Sequence, residues 1–283
     1  MANNTLILFH AHCVDGFGAA YAAWKYFGDE ADYFPIQYEK RSGFDVFPQY
    51  EKLYILDFSF PAEQLRSMTQ NHPGLEITLI DHHKTAIEDL VDFEHQNVNI
   101  ILDITRSGAA LAWKHFFPKA HVPDLLLAIE DRDLWKFKYP DSKKITAALY
   151  PYKRDFEVWD KLDVRKLVDE GSCVLRYQDS LVKYISKQAF RYPAFSIVQT
   201  PVLASDVCNY LLETTPNIAF SVAISDRNAL ETQVSLRSVD YDVEVLAKSF
   251  GGGGHKCAAG FVIPRITIDA LAKQIQDRLT TKE

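Results

Sequence analysis

The sequence predicts an α/β protein, with a mainly parallel sheet in a larger N-terminal part and a smaller α+β part at the C-terminus. Short apolar runs alternate with helical segments up to about residue 185, the order expected of parallel strands joined by crossover helices. Aspartate and histidine side chains, which can bind metals, follow several of these runs at the point where the predicted strand ends. Functional groups of parallel sheets gather at the carboxyl ends of the strands, so a site is expected at that edge.

The larger part takes its predicted elements from apolar runs and from helical spacing. Strands are predicted over runs rich in leucine and β-branched residues: Thr5–Phe9, Asp32–Gln37, Leu53–Phe58, Leu75–Ile80 and Asn99–Leu102. Helices are predicted over Gly16–Phe27, Ala62–Asn71, Gly108–Phe117, Asp124–Asp131, Glu157–Leu162 and Val164–Leu181. Pro61 is well placed to open the second helix. The apolar face of the third helix is expected to pack into the core.

A second domain is expected because 283 residues exceed the usual size of a single core. Pro193 and Pro201 interrupt the chain after the long helix, and we place the boundary near residue 190, giving domains 1–190 and 191–283. Strands of the second domain are predicted over Val202–Ala204, Ala219–Ser225, Gln233–Ser238 and Ala258–Ile263. Its helices are predicted over Val207–Leu212, Val243–Phe250 and Ile268–Leu279.

Composition restricts the class of protein. Hydrophobic residues make up 47% of the chain, which is ample for buried cores, but no apolar run approaches the roughly 20 residues that span a bilayer. The formal charge of −7 argues against a protein that coats long duplex DNA, which needs many basic contacts to phosphate, but it does not exclude a short oligonucleotide. We expect no membrane partner, and the oligomeric state stays open between a monomer and a homodimer.

The cysteines and the N-terminus indicate a cytoplasmic protein. The 4 cysteines are widely scattered, which is typical of reduced thiols. The first residues lack a basic region and enter a strand directly, so they do not resemble a signal peptide.

The strongest functional signal is Asp81-His82-His83, at the end of the apolar run Leu75–Ile80. Adjacent residues of a strand point to opposite faces, so the two imidazoles are expected to have different duties. One would ligate a metal while the other faces substrate. A polar turn without chemistry is the competing interpretation of such a tripeptide.

The same pattern of a strand followed by acids or histidines recurs along the chain. His10, His12 and Asp15 follow the first strand, Asp57 follows the third, and Asp131 and Asp133 lie near the end of a predicted helix. Each acid alone is more often a helix cap or a solvated turn than a ligand. Converging oxygen and nitrogen donors form a site for a hard cation, so the sequence predicts Mn²⁺, with Mg²⁺ as the alternative.

Glycines 251–254 precede His255 and Lys256, and this run is the last motif in the sequence. Glycine amides can approach a phosphate or ribose closely, and the two basic residues can neutralise an anion. Gly252, Gly253, Gly254, His255 and Lys256 are therefore candidate substrate-binding residues. Arg237, at the end of a predicted strand, is a weaker candidate that is equally consistent with a surface residue. A flexible loop is the competing interpretation of the run.

Together these motifs resemble the DHH phosphoesterase family, in the members that carry a DHH catalytic domain and a DHH-associated domain. The similarity rests on His10-Ala11-His12-Cys13-Val14-Asp15-Gly16, Asp57, Asp81-His82-His83, Asp131-Arg132-Asp133 and the glycine motif, in that order. It implies Mn²⁺-dependent hydrolysis of phosphoester or phosphoanhydride bonds, with the active site in the cleft between the domains. It also implies that the glycine motif holds the nucleotide away from the scissile bond.

Residue roles follow as expectations. Asp15, Asp57, His82 and Asp131 would bind the firmer ion, and His10, or less favourably His12, would contribute to a second. His83 would face substrate, Asp81 would orient an imidazole, and Asp133 would be a spare acid that caps a helix. Cys13 replaces the first aspartate of the motif in many relatives, which leaves the second metal site open. A small buried cysteine without chemistry is the alternative.

Three functions remain. The leading one is a 3′-5′ exonuclease, oligoribonuclease or phosphodiesterase that acts on short oligonucleotides or dinucleotides. An inorganic pyrophosphatase or exopolyphosphatase is the runner-up, since it needs basic groups around a compact anion but no contacts to bases. The third is a non-catalytic nucleotide-binding module, which only Cys13 favours.

Overall fold

The computed structural model describes residues 3–37 and 49–280. The chain divides into two compact units, Met1–Leu175 and Arg176–Glu283, and the division falls within the helix Val164–Ser186. In the part of the chain that the structure describes, no helix is both long and apolar enough to cross a membrane.

The first unit is built on a parallel sheet. Its described strands are β1 (Thr5–His10), β2 (Asp32–Ile36), β3 (Lys52–Leu56), β4 (Glu76–Asp81) and β5 (Val98–Leu102). Their order is β2-β1-β3-β4-β5, and every neighbouring pair is parallel. This arrangement confirms the predicted α/β class with a mainly parallel sheet.

Helices separate these strands and follow them. They are α1 (Val14–Phe27), α2 (Ala62–Asn71), α3 (Lys84–Leu90), α4 (Gly108–Phe116), α5 (Asp124–Asp133), α6 (Ser142–Leu149), α7 (Phe156–Asp160) and α8 (Val164–Ser186). A short 3-10 helix, Gly28–Glu30, follows α1. The helices α3 and α6 were not predicted from the sequence.

Successive side chains of each strand point to opposite faces of the sheet. In the central strands the side chains of both faces are buried, because helices cover the sheet on each side. Ile7 and Phe9 of β1 pack in one cluster with residues of α1, α4 and α5, and Leu6 and Leu8 pack in another with residues of α2. The continuous apolar runs of the sequence are the consequence of this two-sided burial. The apolar face of α4 lies in the first of these cores, as predicted.

The second unit is an α+β module with a mixed sheet. Its described strands are β6 (Phe190–Arg191), β7 (Phe195–Gln199), β8 (Phe220–Asp226), β9 (Glu231–Ser238), β10 (Gly253–His255) and β11 (Ala258–Pro264). They run in the order β10-β11-β9-β8-β7-β6, and β7 and β8 form the parallel pair. Its helices are α9 (Ala204–Thr214), α10 (Val243–Lys248) and α11 (Ile268–Thr280).

The strand predicted over Val202–Ala204 is wrong. Ala204 begins α9, and Leu203 before it has a left-handed backbone with φ of 54°. The strand in this region is β7, where Phe195 and Ile197 are buried. Pro193 and Pro201 flank β7, and these prolines indicated a connection between domains in place of a strand.

Candidate metal centre at the sheet edge

Ligand-type side chains collect beyond the carboxyl ends of β1, β3 and β4. Three groups each have donor atoms within 4.8 Å of one another: His10, Cys13 and Asp57; Asp57, His82 and His83; and Asp15, His82 and Asp133. Asp57 belongs to the first two groups and His82 to the last two. The three groups therefore form one continuous cluster.

Asp57 lies at the centre of this cluster because of a tight turn after β3. Its backbone has φ of 62°, a left-handed conformation that is costly for a residue with a side chain. The backbone N–H of Asp57 donates to the carbonyl of Ile80, which holds the turn against β4. A Cβ at Gly108 would lie 2.5 Å from Oδ1 of Asp57, so glycine is needed there for the close approach.

Asp57 reaches both neighbouring histidines. Its Oδ2 lies 3.3 Å from Nδ1 of His10, and its Oδ1 lies 3.3 Å from Nε2 of His82. The side chain is only 1% exposed, and the contact of Oδ1 with His82 is an ion pair without good hydrogen-bond geometry. A buried carboxylate oxygen that lacks a well-formed hydrogen bond is costly, and a bound cation would compensate for it.

Asp15 approaches the cluster from the first turn of α1. The backbone N–H groups of Gly108 and Ala109 donate to its two oxygens at 2.6 Å and 3.1 Å. Its Oδ2 also lies 3.7 Å from Nε2 of His82. The first amides of α4 therefore fix the orientation of a carboxylate that faces the cluster.

The two acids of α5, Asp131 and Asp133, have different neighbours. Asp131, the expected ligand, accepts hydrogen bonds from the N–H of Lys138 at 2.8 Å and from the hydroxyl of Ser142 at 2.5 Å. Asp133, the expected spare acid, lies instead with Oδ2 3.5 Å from Nε2 of His82. Side chains two residues apart on a helix point in different directions, so only one of these acids can face the cluster. We therefore replace Asp131 by Asp133 in the proposed ligand set.

Asp81, His82 and His83 are arranged by the turn after β4. Oδ1 of Asp81 accepts hydrogen bonds from the backbone N–H groups of His82 and His83, and it lies 2.7 Å from Nδ1 of His83. If Nδ1 carries the proton, Nε2 of His83 is left as the acceptor or ligand atom. The structure thus pairs Asp81 with an imidazole, the arrangement that the sequence argument expected for this acid.

His10 and Cys13 complete the cluster on the side of β1. Phe9 is opposite Leu56 in the β1–β3 register, so His10, one residue later, lies beside Asp57. His12 is exposed and has φ of 58°, and it is in none of the three groups. His10 is accordingly the histidine of this motif that the structure brings to the site.

The charges of the cluster perturb its acids strongly. Burial, together with the carboxylates of Asp57 and Asp133, raises the pKa of Asp15 well above its usual value. Burial alone would also raise the pKa of Asp57, but the imidazoles of His10, His82 and His83 outweigh it and lower that pKa. These shifts show competition for positive charge inside a buried group of acids.

The imidazoles respond in the opposite sense. Burial alone would lower the pKa of His82, but the carboxylates of Asp57, Asp15 and Asp133 raise it to about 10. Burial likewise opposes the protonated form of His83, and Asp81 outweighs it to raise the pKa. The neighbouring carboxylates thus favour the protonated form of both imidazoles. A divalent cation would supply positive charge in place of these protons.

The donor set fits a divalent cation. Carboxylate oxygens from Asp15, Asp57 and Asp133 and a nitrogen from His82 are ligands that suit Mn²⁺ and Mg²⁺. The buried Oδ1 of Asp57 supports the same conclusion. Cys13, His83 and Asp133 are the members that were not predicted as ligands from the sequence, and no signal in the sequence separates Asp133 from Asp131.

The glycine motif lies in the second unit, and part of it forms a strand. Gly253, Gly254 and His255 form β10, which pairs antiparallel with β11. A side chain at Gly252 would clash with Gly260 and Phe261. At Gly254, φ is 144° and a Cβ would lie 2.5 Å from the carbonyl of Ala258. Close backbone packing therefore explains two of the glycines.

The sheet register brings Arg237 to the glycine motif. His255 is opposite Ala258 on β11, and Ala258 is opposite Arg237 on β9, so all three side chains are on one face of the sheet. The guanidinium of Arg237 donates to the hydroxyl of Ser205 at 2.7 Å and to the carbonyl of Leu236 at 2.8 Å. Arg237 is thus a half-buried sheet residue in the same row as His255. Lys256 is exposed at the turn between β10 and β11.

Comparison with known proteins identifies the class. Residues 197–281 match the DHHA1 domain. The chain is 31% identical over 290 residues to uncharacterized protein R106 of Acanthamoeba polyphaga mimivirus, with 92% of this chain and 68% of that protein covered. It is 24% identical over 294 residues to oligoribonuclease NrnB of Bacillus subtilis, with 89% of this chain and 71% of that protein covered. These relatives, the parallel sheet and the acid–histidine cluster define a phosphoesterase of the two-domain type.

The chain belongs to the DHH phosphoesterase family. Solved structures share its fold, among them an exopolyphosphatase-related protein from Bacteroides fragilis (TM-score 0.61, 14% identity, 98% of this chain and 92% of that chain). A pGpG-specific phosphodiesterase, PggH, from Vibrio cholerae aligns with a TM-score of 0.53 at 13% identity, covering 99% and 98% of the two chains. RecJ from Thermus thermophilus in complex with Mn²⁺ aligns with a TM-score of 0.54 at 14% identity, covering 98% of this chain and 51% of RecJ.

Proposed function

We propose that the protein is a Mn²⁺-dependent phosphodiesterase that hydrolyses short oligonucleotides or dinucleotides, with 3′-5′ exonuclease action on the longer ones. The observation that carries the proposal is the cluster of Asp15, Asp57, His82 and Asp133, in which the first three side chains are buried, Asp133 is exposed, and His82 is common to the overlapping donor groups. The name of the B. subtilis relative, an oligoribonuclease, supports the substrate class. Mg²⁺ is the alternative ion, and cytoplasm is the proposed location.

The residues of the cluster have distinct proposed roles. Asp15, Asp57, His82 and Asp133 hold the firmer ion, and His10 contributes to a second position. When bound, the divalent cation would activate water and neutralise charge on the phosphoryl oxygens. Asp57, which belongs to two of the donor groups, is the candidate for a ligand shared between the two positions.

His83 is the proposed acid–base residue. Its Nδ1 lies 2.7 Å from Oδ1 of Asp81, and this contact fixes the orientation of the ring. We propose that its other ring nitrogen, Nε2, hydrogen-bonds a phosphoryl oxygen or protonates the leaving alcohol. Asp81 is fully buried and acts on the substrate through this imidazole.

Basic and aromatic side chains close to Asp133 favour a nucleotide chain as substrate. The guanidinium of Arg132 packs over the ring of Trp135 at 4.3 Å and that of Phe137 at 5.5 Å. Lys138 is exposed on the same segment. Positive charge beside aromatic rings is typical of surfaces that bind single-stranded nucleic acid, because cations meet phosphates and rings meet bases.

The second unit supplies the proposed substrate-binding residues Gly252, Gly253, Gly254, His255, Lys256 and Arg237. We propose that they bind the part of the substrate away from the reacting phosphate. Such binding gives a longer substrate an advantage that a compact anion does not have.

One assay separates the candidate functions. The protein is incubated with Mn²⁺ and, separately, with a dinucleotide, a longer oligonucleotide labelled at either end, pyrophosphate and polyphosphate. Release of mononucleotides supports the proposal, and the labelled end that is lost first gives the polarity. Release of orthophosphate would assign a pyrophosphatase or exopolyphosphatase instead. If no substrate gives a product, the protein would be assigned as a non-catalytic nucleotide-binding module. Asp57→Asn is the control that should abolish hydrolysis, and full activity in that variant would contradict the assigned centre.

A further inference from the structure

Cys13 lies beside two ligand-type side chains, His10 and Asp57. Its Sγ is within 4.8 Å of donor atoms of His10 and Asp57, and these two side chains lie 3.3 Å apart. An inert buried cysteine ordinarily packs against apolar neighbours, as Cys208 does in the core under α9. Cys13 is therefore close enough to His10 and Asp57 to share a bound cation with them.

The turn from β1 to α1 holds the sulfur in this place. Cys13 is the residue before α1, with an extended backbone, and its side chain makes no capping hydrogen bond. The N–H of Phe17 donates to its carbonyl at 3.2 Å. A side chain at Gly16 would clash with His10, so the end of β1 and the start of α1 pack closely. His10 and Cys13 are thereby kept on the same side as Asp57.

The carboxylate of Asp57 faces the two sides of the cluster with different oxygens. Oδ1 lies 3.3 Å from Nε2 of His82, and Oδ2 lies 3.3 Å from Nδ1 of His10. A cation next to Cys13 and His10 would therefore approach this carboxylate from its Oδ2 side.

The two halves of the cluster differ in chemical hardness. The Asp15–His82–Asp133 group offers mainly carboxylate oxygen, which suits Mn²⁺ and Mg²⁺. The His10–Cys13–Asp57 group combines one sulfur, one nitrogen and one oxygen. Thiolate with imidazole is a donor set that favours Zn²⁺ and other soft or borderline ions over Mn²⁺.

We propose that His10, Cys13 and Asp57 bind a soft or borderline divalent cation of the Zn²⁺ class through the Cys13 sulfur, beside a hard-cation site at Asp15, His82 and Asp133. The proposal rests on the proposed metal-dependent function and specifies the second position of its metal centre. Binding releases the thiol proton to solvent. The second position is accordingly weak for Mn²⁺, because that ion is a poor match for sulfur, and strong for the softer ion.

Direct detection of a sulfur–metal bond tests the proposal without an activity measurement. Reduced protein freed of metal by a chelator is titrated with Cd²⁺ and with Co²⁺, and the near-ultraviolet charge-transfer absorption from sulfur to metal is recorded. The unmodified protein should develop this band. Cys13→Ser should lose it, while Cys173→Ser, at an exposed cysteine of α8, should retain it. Absence of the band in the unmodified protein, or its persistence in Cys13→Ser, would overturn the proposal.

The variant Cys13→Asp provides the reciprocal test. It should abolish the charge-transfer band and raise Mn²⁺ affinity at the second position by about tenfold or more, because a hard oxygen replaces sulfur. Unchanged Mn²⁺ affinity together with an unchanged Cd²⁺ band would contradict the proposal. Circular dichroism of each variant establishes that it is folded.

Labelling of the unmodified protein keeps the proposal testable if the variants fail to fold. Iodoacetamide labelling, read by peptide mass spectrometry, should be slowed by Cd²⁺ at Cys13 by about tenfold or more and unchanged at Cys173. Equal labelling of Cys13 with and without Cd²⁺ would refute sulfur ligation. Paramagnetic resonance of free Mn²⁺ measures the hard site separately. Mn²⁺ uptake without a sulfur band defeats only this inference, while loss of both defeats the proposed metal centre as well.

Discussion

At the scale of single residues, Asp131 and Asp133 differ in surroundings although they are neighbours on α5. Asp131 is buried and accepts hydrogen bonds from Lys138 and Ser142, which tie the end of α5 to the following segment and to α6. Asp133 faces His82. The hydrogen bonds of the first stabilise the fold, whereas the second belongs to the proposed ligand set.

Substitution of these two acids should separate metal binding from stability. Asp133→Asn should weaken Mn²⁺ binding by about tenfold or more, because it removes a charged ligand. Asp131→Asn should leave Mn²⁺ affinity within a few-fold but lower the free energy of unfolding by about 1–3 kcal/mol, because buried hydrogen bonds are lost. Calorimetric titration and urea denaturation measure the two effects. A larger loss of Mn²⁺ affinity in Asp131→Asn than in Asp133→Asn would restore Asp131 as the ligand.

His82 makes Mn²⁺ affinity depend on pH. Burial opposes its protonated form, but the surrounding carboxylates raise its pKa to about 10, above the ordinary value of about 6.5. In the metal-free protein this proton contributes stability below about pH 6.5, and that contribution is lost as the pH rises through about 10.

A metal must displace this proton, so Mn²⁺ affinity should rise between pH 7 and 9, by up to about tenfold per pH unit for each proton released. Calorimetry in two buffers of different ionisation enthalpy counts the protons. His82→Gln should release fewer of them than the unmodified protein. Affinity that is independent of pH would show that His82 is already neutral in the metal-free protein.

At the scale of elements, the glycine motif is a strand of a hairpin. β10 pairs with β11. Because Gly252 and Gly254 have no side chains, the two backbones can approach each other closely. The stacked rings of Phe250 and Phe261, with centroids 4.3 Å apart, lie at the entry to this hairpin. The motif therefore has a structural role whatever it binds.

Gly254→Ala should destabilise the second unit. The residue has φ of 144°, and an added Cβ would lie 2.5 Å from the carbonyl of Ala258, so the variant combines backbone strain with a clash. We expect the free energy of unfolding to fall by about 1–3 kcal/mol. Gly74→Ala is the matched control, since a Cβ there meets nothing within 4 Å. Equal stability of the two variants in thermal or urea denaturation would show that the hairpin adjusts freely.

At the scale of the whole molecule, the two units carry different parts of the proposed function. The donor cluster lies entirely in the first unit, and the row of His255, Ala258 and Arg237 lies in the second. The first would supply the chemistry and the second the binding of a longer substrate. The boundary predicted near residue 190 stays a prediction.

His255→Ala should therefore discriminate by substrate length. Loss of a charge-assisted hydrogen bond of about 1.5–3 kcal/mol corresponds to a roughly ten- to hundred-fold fall in kcat/KM for oligonucleotides. Hydrolysis of a small activated phosphodiester should stay nearly unchanged, because that substrate has nothing for the second unit to hold. Steady-state kinetics on both substrates measure the difference. An equal loss on both would place His255 at the reacting phosphate, and no loss on either would leave the glycine motif a purely structural hairpin.

By itself, the sequence determined the α/β class, the parallel strands and the edge at which the acids collect. Each of these follows from local pattern: runs buried on both faces must be apolar throughout, and parallel strands end at a common edge. Asp15, Asp57 and His82 could be found for that reason.

Only the tertiary structure decided between Asp131 and Asp133, brought Cys13 to His10 and Asp57, and paired the glycine run with β11. These outcomes depend on how α5 is rotated about its axis, on how tightly α1 packs against the end of β1, and on which strand lies next to β10. All three are set by packing against distant parts of the chain, and local sequence does not encode them.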